Sequence, residues 1–136
     1  MPRPVPVPDA VSKPFWDACN ERRLIVQRCS ACDRRQFPPE ATCRDCGSEA
    51  NLEWVATSGR GRIHGAIVMH DSRIKMWQPL QPYNLVGIAL EDDPAIKFMS
   101  NLPGVPVHEV PVGAAVEVEF IEASPEQLVP EWRIVG

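Results

Sequence analysis

Four of the chain's five cysteines fall within CSACDRRQFPPEATCRDC, residues 29–46, as two C-x-x-C pairs separated by ten residues. Thiols at that spacing suit three chemistries: a disulfide staple, a redox centre or a metal site. The turn inside a C-x-x-C pair orients both sulfurs the same way, and two such pairs supply the four sulfurs that tetrahedral zinc takes. A redox disulfide needs one pair and a thioredoxin-like setting, which this sequence lacks. A chain of 136 residues needs no staple to fold. Cys29, Cys32, Cys43 and Cys46 are therefore expected to hold a structural Zn2+, with iron an alternative of the same sulfur geometry. Four protein ligands leave no open position for a water, so the site reads as architecture rather than catalysis. Gly47 stands where the second knuckle needs a positive φ, and Asp33 holds the equivalent place in the first.

The remaining reactive groups assemble no catalytic constellation. Cys19 lies on the apolar side of a helical stretch and reads as a buried small hydrophobe. His64, His70 and His108 fall in or near strands, without a paired cysteine, an H-x-x-x-H or a G-x-S-x-G. Glu91, Asp92 and Asp93 precede Pro94 as turn text. Gly59 and Gly61 lack the third glycine and following helix of a phosphate loop. Independent catalysis is not expected.

The elements that must position the cysteines follow from periodicity. Residues 1–11 read as an extended proline-rich arm, and SKPFWDACNERR as a helix of about three turns with Ser12 as N-cap and Pro14 in the first turn. LIVQR, with Leu24 and Val26 inward, delivers the chain to Cys29 as a strand. Beyond the cysteines the period is two. LEWVATS is expected to run into GRGRIHGAIVMH as one long strand bent at Gly59 and Gly61; NLVGIALE, IKFMSNL, AAVEVEFIE and WRIVG follow. Five or so strands with a long, coiled first one suit a small Greek-key barrel of the OB kind. The expected fold is mainly β: an arm and helix over 1–23, a zinc ribbon over 24–51 and a barrel over 52–136.

Fifteen prolines argue against long helices. No apolar run approaches a membrane span, and the N-terminus lacks the apolar core of a signal peptide, so a cytoplasmic protein is expected. A net charge of −4 opposes generic nucleic-acid binding. Six arginines lie within residues 22–44, against Asp33 and Glu40. They either neutralise a metal–thiolate cluster and coat a solvated face, or mark an anion or partner site.

The order of parts resembles one family. Pro14-Phe15-Trp16, a strand into C-x-x-C, Gln36 to Pro39 as Q-F-P-P, C-x-x-C-G ending at Gly47, Leu52-Glu53-Trp54, the G-R-G of Gly59 to Gly61, Pro82-Tyr83, Asn101-Leu102 and the G-x-x-V-x-V-x-F from Gly113 to Phe120 are similar to the acyl-CoA-associated proteins catalogued as domain of unknown function thirty-five. That resemblance implies a rubredoxin-like ribbon and an OB barrel. It also implies a non-catalytic role beside thiolase-like enzymes, such as aldolases cleaving a steroid side-chain CoA ester, in a hetero-oligomer. In some members the partner is a hot-dog-type enoyl-CoA hydratase. The sequence departs from the family at Asp33 and in the tail LVPEWRIVG.

The apolar loop text DSRIKMWQPLQPY, carrying Met76, Trp77, Leu80 and Tyr83, either anchors an interface or folds back on its own barrel. Arg60, Arg62, Arg73 and Lys75 nearby are either solvated charge or, with Met76, Trp77 and Tyr83, the candidate contact for a partner or for CoA phosphates. A nucleic-acid-binding alternative would stack bases on Tyr83 and Phe98, against the acidic balance of the chain.

Overall fold

The structure, a computed structural model, describes residues 4–135. Its α-helix, α1, spans Lys13–Asn20 and buries Phe15, Ala18 and Cys19. At eight residues it falls short of the expected three turns. Arg22 takes a left-handed φ of 59°, its N–H bonds to the Cys19 carbonyl and the Arg23 N–H bonds to the Ala18 carbonyl, which together close the helix end. Arginine is an unusual residue for that place, so the stop carried no sequence signal. Ser12 precedes the helix as expected but makes no side-chain cap. Its hydroxyl accepts from the Asp9 N–H while Asp9 accepts from the Ser12 N–H, so the pair builds the turn that leads into α1.

β1 (Ile25–Cys29) runs between β2 (Arg35–Gln36) and β3 (Leu52–Ala56) in a three-stranded antiparallel sheet. This central place explains why Leu24, Ile25, Val26 and Gln27 are all buried, where alternation was expected. β3 pairs with β1 from Ile25↔Ala56 to Cys29↔Leu52. The expected single long strand is thus two strands in two sheets. Thr57 redirects the chain between them, its N–H and hydroxyl both donating to the Leu24 carbonyl, and Gly59 follows with φ 73°.

The second sheet orders its five antiparallel strands β6-β5-β4-β7-β8, from β4 (Arg60–Met69), β5 (Tyr83–Leu90), β6 (Lys97–Ser100), β7 (Ala115–Ser124) and β8 (Gln127–Ile134). Strict alternation along β5 buries Asn84, Val86, Ile88 and Leu90. Ile63, Val116 and Trp132 complete the barrel core from the neighbouring strands. The departing tail of the sequence forms β8, paired with β7 from Val116↔Ile134 to Ser124↔Gln127.

Helix, ribbon and barrel share one apolar core. Aromatic rings run through it: Phe15 lies 5.1 Å from Phe37 in the ribbon, Phe37 stacks at 4.1 Å on Phe98 of β6, and Phe98 lies 5.9 Å from Trp132 of β8. Among the described residues no helix is long and apolar enough to cross a membrane.

Candidate metal centre and contact residues

Each C-x-x-C pair is shaped by the same backbone pattern. The Cys29 N–H donates to the Arg34 carbonyl and the Asp33 N–H to the Cys29 carbonyl; the Cys43 N–H donates to Ser48 and the Gly47 N–H to Cys43. Asp33 and Gly47 supply the positive φ that closes each knuckle, 67° and 72°. Asp33 thus occupies the glycine conformation, as its position implied.

The two knuckles bring all four sulfurs within 4.8 Å of one another. Cys29 Sγ lies 3.6 Å from Cys46 Sγ, and Cys32 Sγ lies 3.5 Å from Cys43 Sγ. A disulfide requires about 2.0 Å. Four sulfurs at ~2.3 Å from a tetrahedral cation stand about 3.8 Å apart, close to what these pairs adopt. The donor set therefore fits a thiolate-bound metal ion held by Cys29, Cys32, Cys43 and Cys46.

The loop between the knuckles is held by two buried amides that sequence reading passed over. Gln36 donates to Gln27 Oε1 at 2.9 Å and to the Thr42 carbonyl at 3.1 Å, and accepts from the Arg44 N–H at 3.0 Å. Gln27 in turn donates to the Glu40 carbonyl and accepts from the Glu40 N–H, both at 2.9 Å. This clasp ties the second knuckle to β1 and β2, which carry the first. In the sequence Gln27 stands within the strand text LIVQR and Gln36 heads the Q-F-P-P motif, and neither setting names the other as its partner.

The arginines gathered here are largely spoken for locally. Arg28 bridges Asp33 and Glu53, Arg34 meets Asp45 at 2.9 Å, Arg44 meets Glu40 at 3.2 Å, and Arg22 donates to the Phe120 carbonyl. Arg28, Arg34 and Arg44 brace the ribbon in this way, and Arg22 ties the end of α1 to β7.

Cys19 is fully buried, and burial pushes its thiol up to about 12, so it packs as a small apolar group. His70 and His108 bring their rings to 5.9 Å at the surface. His64 is exposed on β4, and Glu91 pairs with Arg60 at 3.1 Å.

The candidate contact residues divide into two places. Arg60 and Arg62 start β4, Arg60 bound to Glu91 and Arg62 donating to the Gly113 carbonyl. Arg73, Met76 and Trp77 lie in the loop beyond β4, where Lys75–Leu80 forms a 3-10 turn, and Tyr83 opens β5. Nine residue steps of strand, about 30 Å, separate the ends of β4, so the six residues form no single site. Trp77 and Tyr83 pack with ring centroids 5.1 Å apart, while Met76 and Ile74 remain exposed. Phe98 is buried under Phe37, which removes it as a stacking platform for a base. A groove of about 740 Å³ opens between β6 and β8, lined by Trp16, Phe37, Trp77, Met99 and Pro130 among others.

Comparison with known proteins agrees with this anatomy. Two adjoining family models match: the ChsH2 rubredoxin-like zinc ribbon domain over residues 16–53 and the ChsH2 C-terminal OB-fold domain over residues 54–120. A probable enoyl-CoA hydratase alpha subunit of Thermomonospora curvata is 31% identical over 122 residues, which are 88% of this chain and 36% of that protein. The chain therefore spans little more than a third of that relative. A DUF35 domain-containing scaffold protein of Methanothermobacter thermautotrophicus is 26% identical over 97 residues, 71% of either chain. Among solved structures, a chain of the Ltp2-ChsH2(DUF35) aldolase matches with a TM-score of 0.80 and 28% identity, over 96% of this chain and 98% of that one. A DUF35 family protein of unknown function from Sulfolobus solfataricus shares the fold at a TM-score of 0.60 and 15% identity, over 90% and 84% of the two chains. With ribbon and barrel both matched and in the same order, the chain belongs to the DUF35 family of ChsH2-type proteins, a rubredoxin-like zinc ribbon followed by an OB fold.

Proposed function

We propose that this chain is a non-catalytic accessory subunit that binds a thiolase-like acyl-CoA enzyme, such as an aldolase acting on a steroid side-chain CoA ester, and supports its activity. The observation that carries this reading is the end-to-end similarity to a chain of the Ltp2-ChsH2(DUF35) aldolase. The scaffold description of the archaeal relative points the same way. The chemistry of the chain is consistent with it: four thiols are arranged for a metal, and the fifth is buried with its proton held. In this reading the ion is zinc, held by Cys29, Cys32, Cys43 and Cys46 in a closed shell that stabilises the ribbon and takes no part in turnover. Arg73, Met76, Trp77 and Tyr83 are the proposed contacts to the partner. Arg60 and Arg62 lie apart from them and are the proposed contacts to CoA phosphates. The chain acts in the cytoplasm, where CoA thioesters are handled.

Co-expression with a thiolase-like protein of the same host tests the assignment. A complex that survives size-exclusion chromatography, with thioester or aldol cleavage present only in the complex, is the expected result. Turnover of an acyl-CoA by the isolated chain would refute it. A second reading, membership of an enoyl-CoA hydratase, is favoured by the Thermomonospora relative; hydration activity recovered with a hydratase subunit and absent with a thiolase would select it.

A further inference from the structure

Residues 4–8 read P-V-P-V-P. Each is a proline or precedes one, which holds the backbone to an extended course. Proline also removes N–H donors, and among the described residues none from Pro4 to Pro8 takes part in a backbone hydrogen bond. The segment is therefore no strand of either sheet. It enters α1 through a turn in which the Ser12 N–H donates to Asp9 Oδ1 at 2.7 Å and the Lys13 N–H to the Asp9 carbonyl at 2.9 Å. Pro4 and Pro6 line the groove between β6 and β8, while Val5 and Val7 stand 50% and 93% exposed.

The groove carries the groups that prolines and one cation need. Trp16 of α1, Phe37 of the ribbon and Trp77 of the β4–β5 loop supply rings from three separate elements, and Met99 and Pro130 extend the apolar wall. A proline helix is preformed, so seating it on flat rings costs little chain entropy. Asp9, Lys97 and Glu131 are the charged residues of the lining. Lys97 donates to the Pro94 carbonyl and Asp9 is held in the turn, whereas Glu131 is 4% exposed. A buried carboxylate is kept with a cation or hydrogen-bond donors, and a guanidinium also lies well on aromatic faces. Within residues 1–8 the single charged side chain is that of Arg3, next to Pro4.

We infer that this groove is a recognition site for a proline-rich segment with an arginine beside its prolines, and that its occupant is the chain's own arm, residues 3–8. The prolines sit against Trp16, Phe37 and Trp77, and the guanidinium is the cation for Glu131. The arm is then a strap across the seam between β6 and β8, attached by side-chain packing and by the turn at Asp9 and Ser12. A partner segment of the same composition competes with it for the same rings. This goes beyond the accessory-subunit reading, and its test uses no thiolase.

The full chain carrying Arg3→Glu, Pro4→Gly and Pro6→Gly, all outside the shared core, tests it against the parent by NMR. The indole N–H signals of Trp16 and Trp77 and the Met99 methyl signal are expected to differ between the two proteins. The acetylated peptide PRPVPVPD, residues 2–9, added to the variant is expected to move those signals back toward the parent positions. Identical spectra for the two folded proteins overturn the inference. The peptide is also expected to bind the parent about tenfold more weakly than the variant, because the parent's own arm holds the groove, and to lose about tenfold when its arginine becomes citrulline or its prolines become alanine. No saturation of the variant at about 1 mM, or a citrulline or alanine peptide that binds as tightly as the original, refutes it. Should the variant fail to fold, excess peptide titrated into the parent reads the same competition, and a parent whose groove signals stay fixed counts against the site. Sedimentation showing a parent dimer that the variant dissolves would place the arm on a second copy and overturn docking within the chain.

Discussion

At Gly61 an added Cβ would stand 2.6 Å from the Ala89 carbonyl oxygen and 2.8 Å from Ile88 Cγ2. The first neighbour is backbone inside a paired strand and cannot retreat cheaply. Gly61→Ala is therefore expected to cost about 1–3 kcal/mol of stability, read by urea unfolding. Gly65→Ala, with nothing within 4 Å of the new carbon, should fall within about 0.5 kcal/mol of the parent; equal losses at the two positions would contradict this account of residue 61. Gln36 poses the opposite problem, a side chain whose polar atoms are all used. Gln36→Leu removes one of the two donors to the buried Gln27 Oε1 and the partners of the Thr42 carbonyl and the Arg44 N–H. A loss of about 2–3 kcal/mol is expected, with faster release of metal to a chelator than from the parent protein. Unchanged release kinetics would mean that the clasp does not position the second knuckle.

Between elements, two contacts join ribbon to barrel. Phe37 leaves β2 and lies on Phe98 of β6 with the ring planes 27° apart. Because Phe37 is only half-buried, Phe37→Ala should cost about 2 kcal/mol rather than the larger loss of a fully enclosed ring. It should also split the melting profile into ribbon and barrel transitions; a single sharp transition would show that other contacts suffice. The second contact is Asp92, in the β5–β6 turn, which accepts from the Ser58 N–H and, at 2.7 Å, from the Ser58 hydroxyl on the linker between β3 and β4. Burial acts to raise this carboxyl, and the Ser58 hydroxyl and amide outweigh it, leaving Asp92 below its ordinary 3.8. A carboxyl lowered on folding adds stability that is present above its unfolded value and is lost as pH falls through its folded value. Asp92→Asn should therefore be less stable than the parent at pH 7, and the difference should shrink as pH falls through the folded value of Asp92. A difference that persists at acid pH would rule out the charged form as the source.

For the whole molecule, a metal ion held by the four cysteines is expected to be the largest single lever. Structural zinc in small fingers contributes about 10–16 kcal/mol of apparent binding, comparable to the ~5–15 kcal/mol stability of an entire domain. The four sulfurs come from two loops that β1, β2, the glutamine clasp and the Arg34–Asp45 ion pair hold together. Elemental analysis is expected to find one zinc per chain. Chelation, or Cys43→Ser, should release amide protection from residues 24 to 56 first, with the barrel amides following because the aromatic core is shared. Cys43→Ser protein that lacks metal yet melts like the parent would refute the structural role.

The local text was sufficient to group Cys29, Cys32, Cys43 and Cys46, for the alternation of β5, for the positive φ at Asp33 and Gly47, and for the ribbon-then-barrel order. Each is set by spacing or period within a few residues of chain. Tertiary structure alone decided the features that join distant segments. β3 left the barrel for the ribbon because β1 offered it a free edge, which nothing in LEWVA encodes. Gln27 and Gln36 became a clasp because two strands placed them side by side. Phe98, a plausible exposed aromatic in the sequence, was covered by Phe37 from 61 positions earlier. Hydrogen-bond partners and burial belong to pairs of segments, and a single stretch of sequence specifies only one member of each pair.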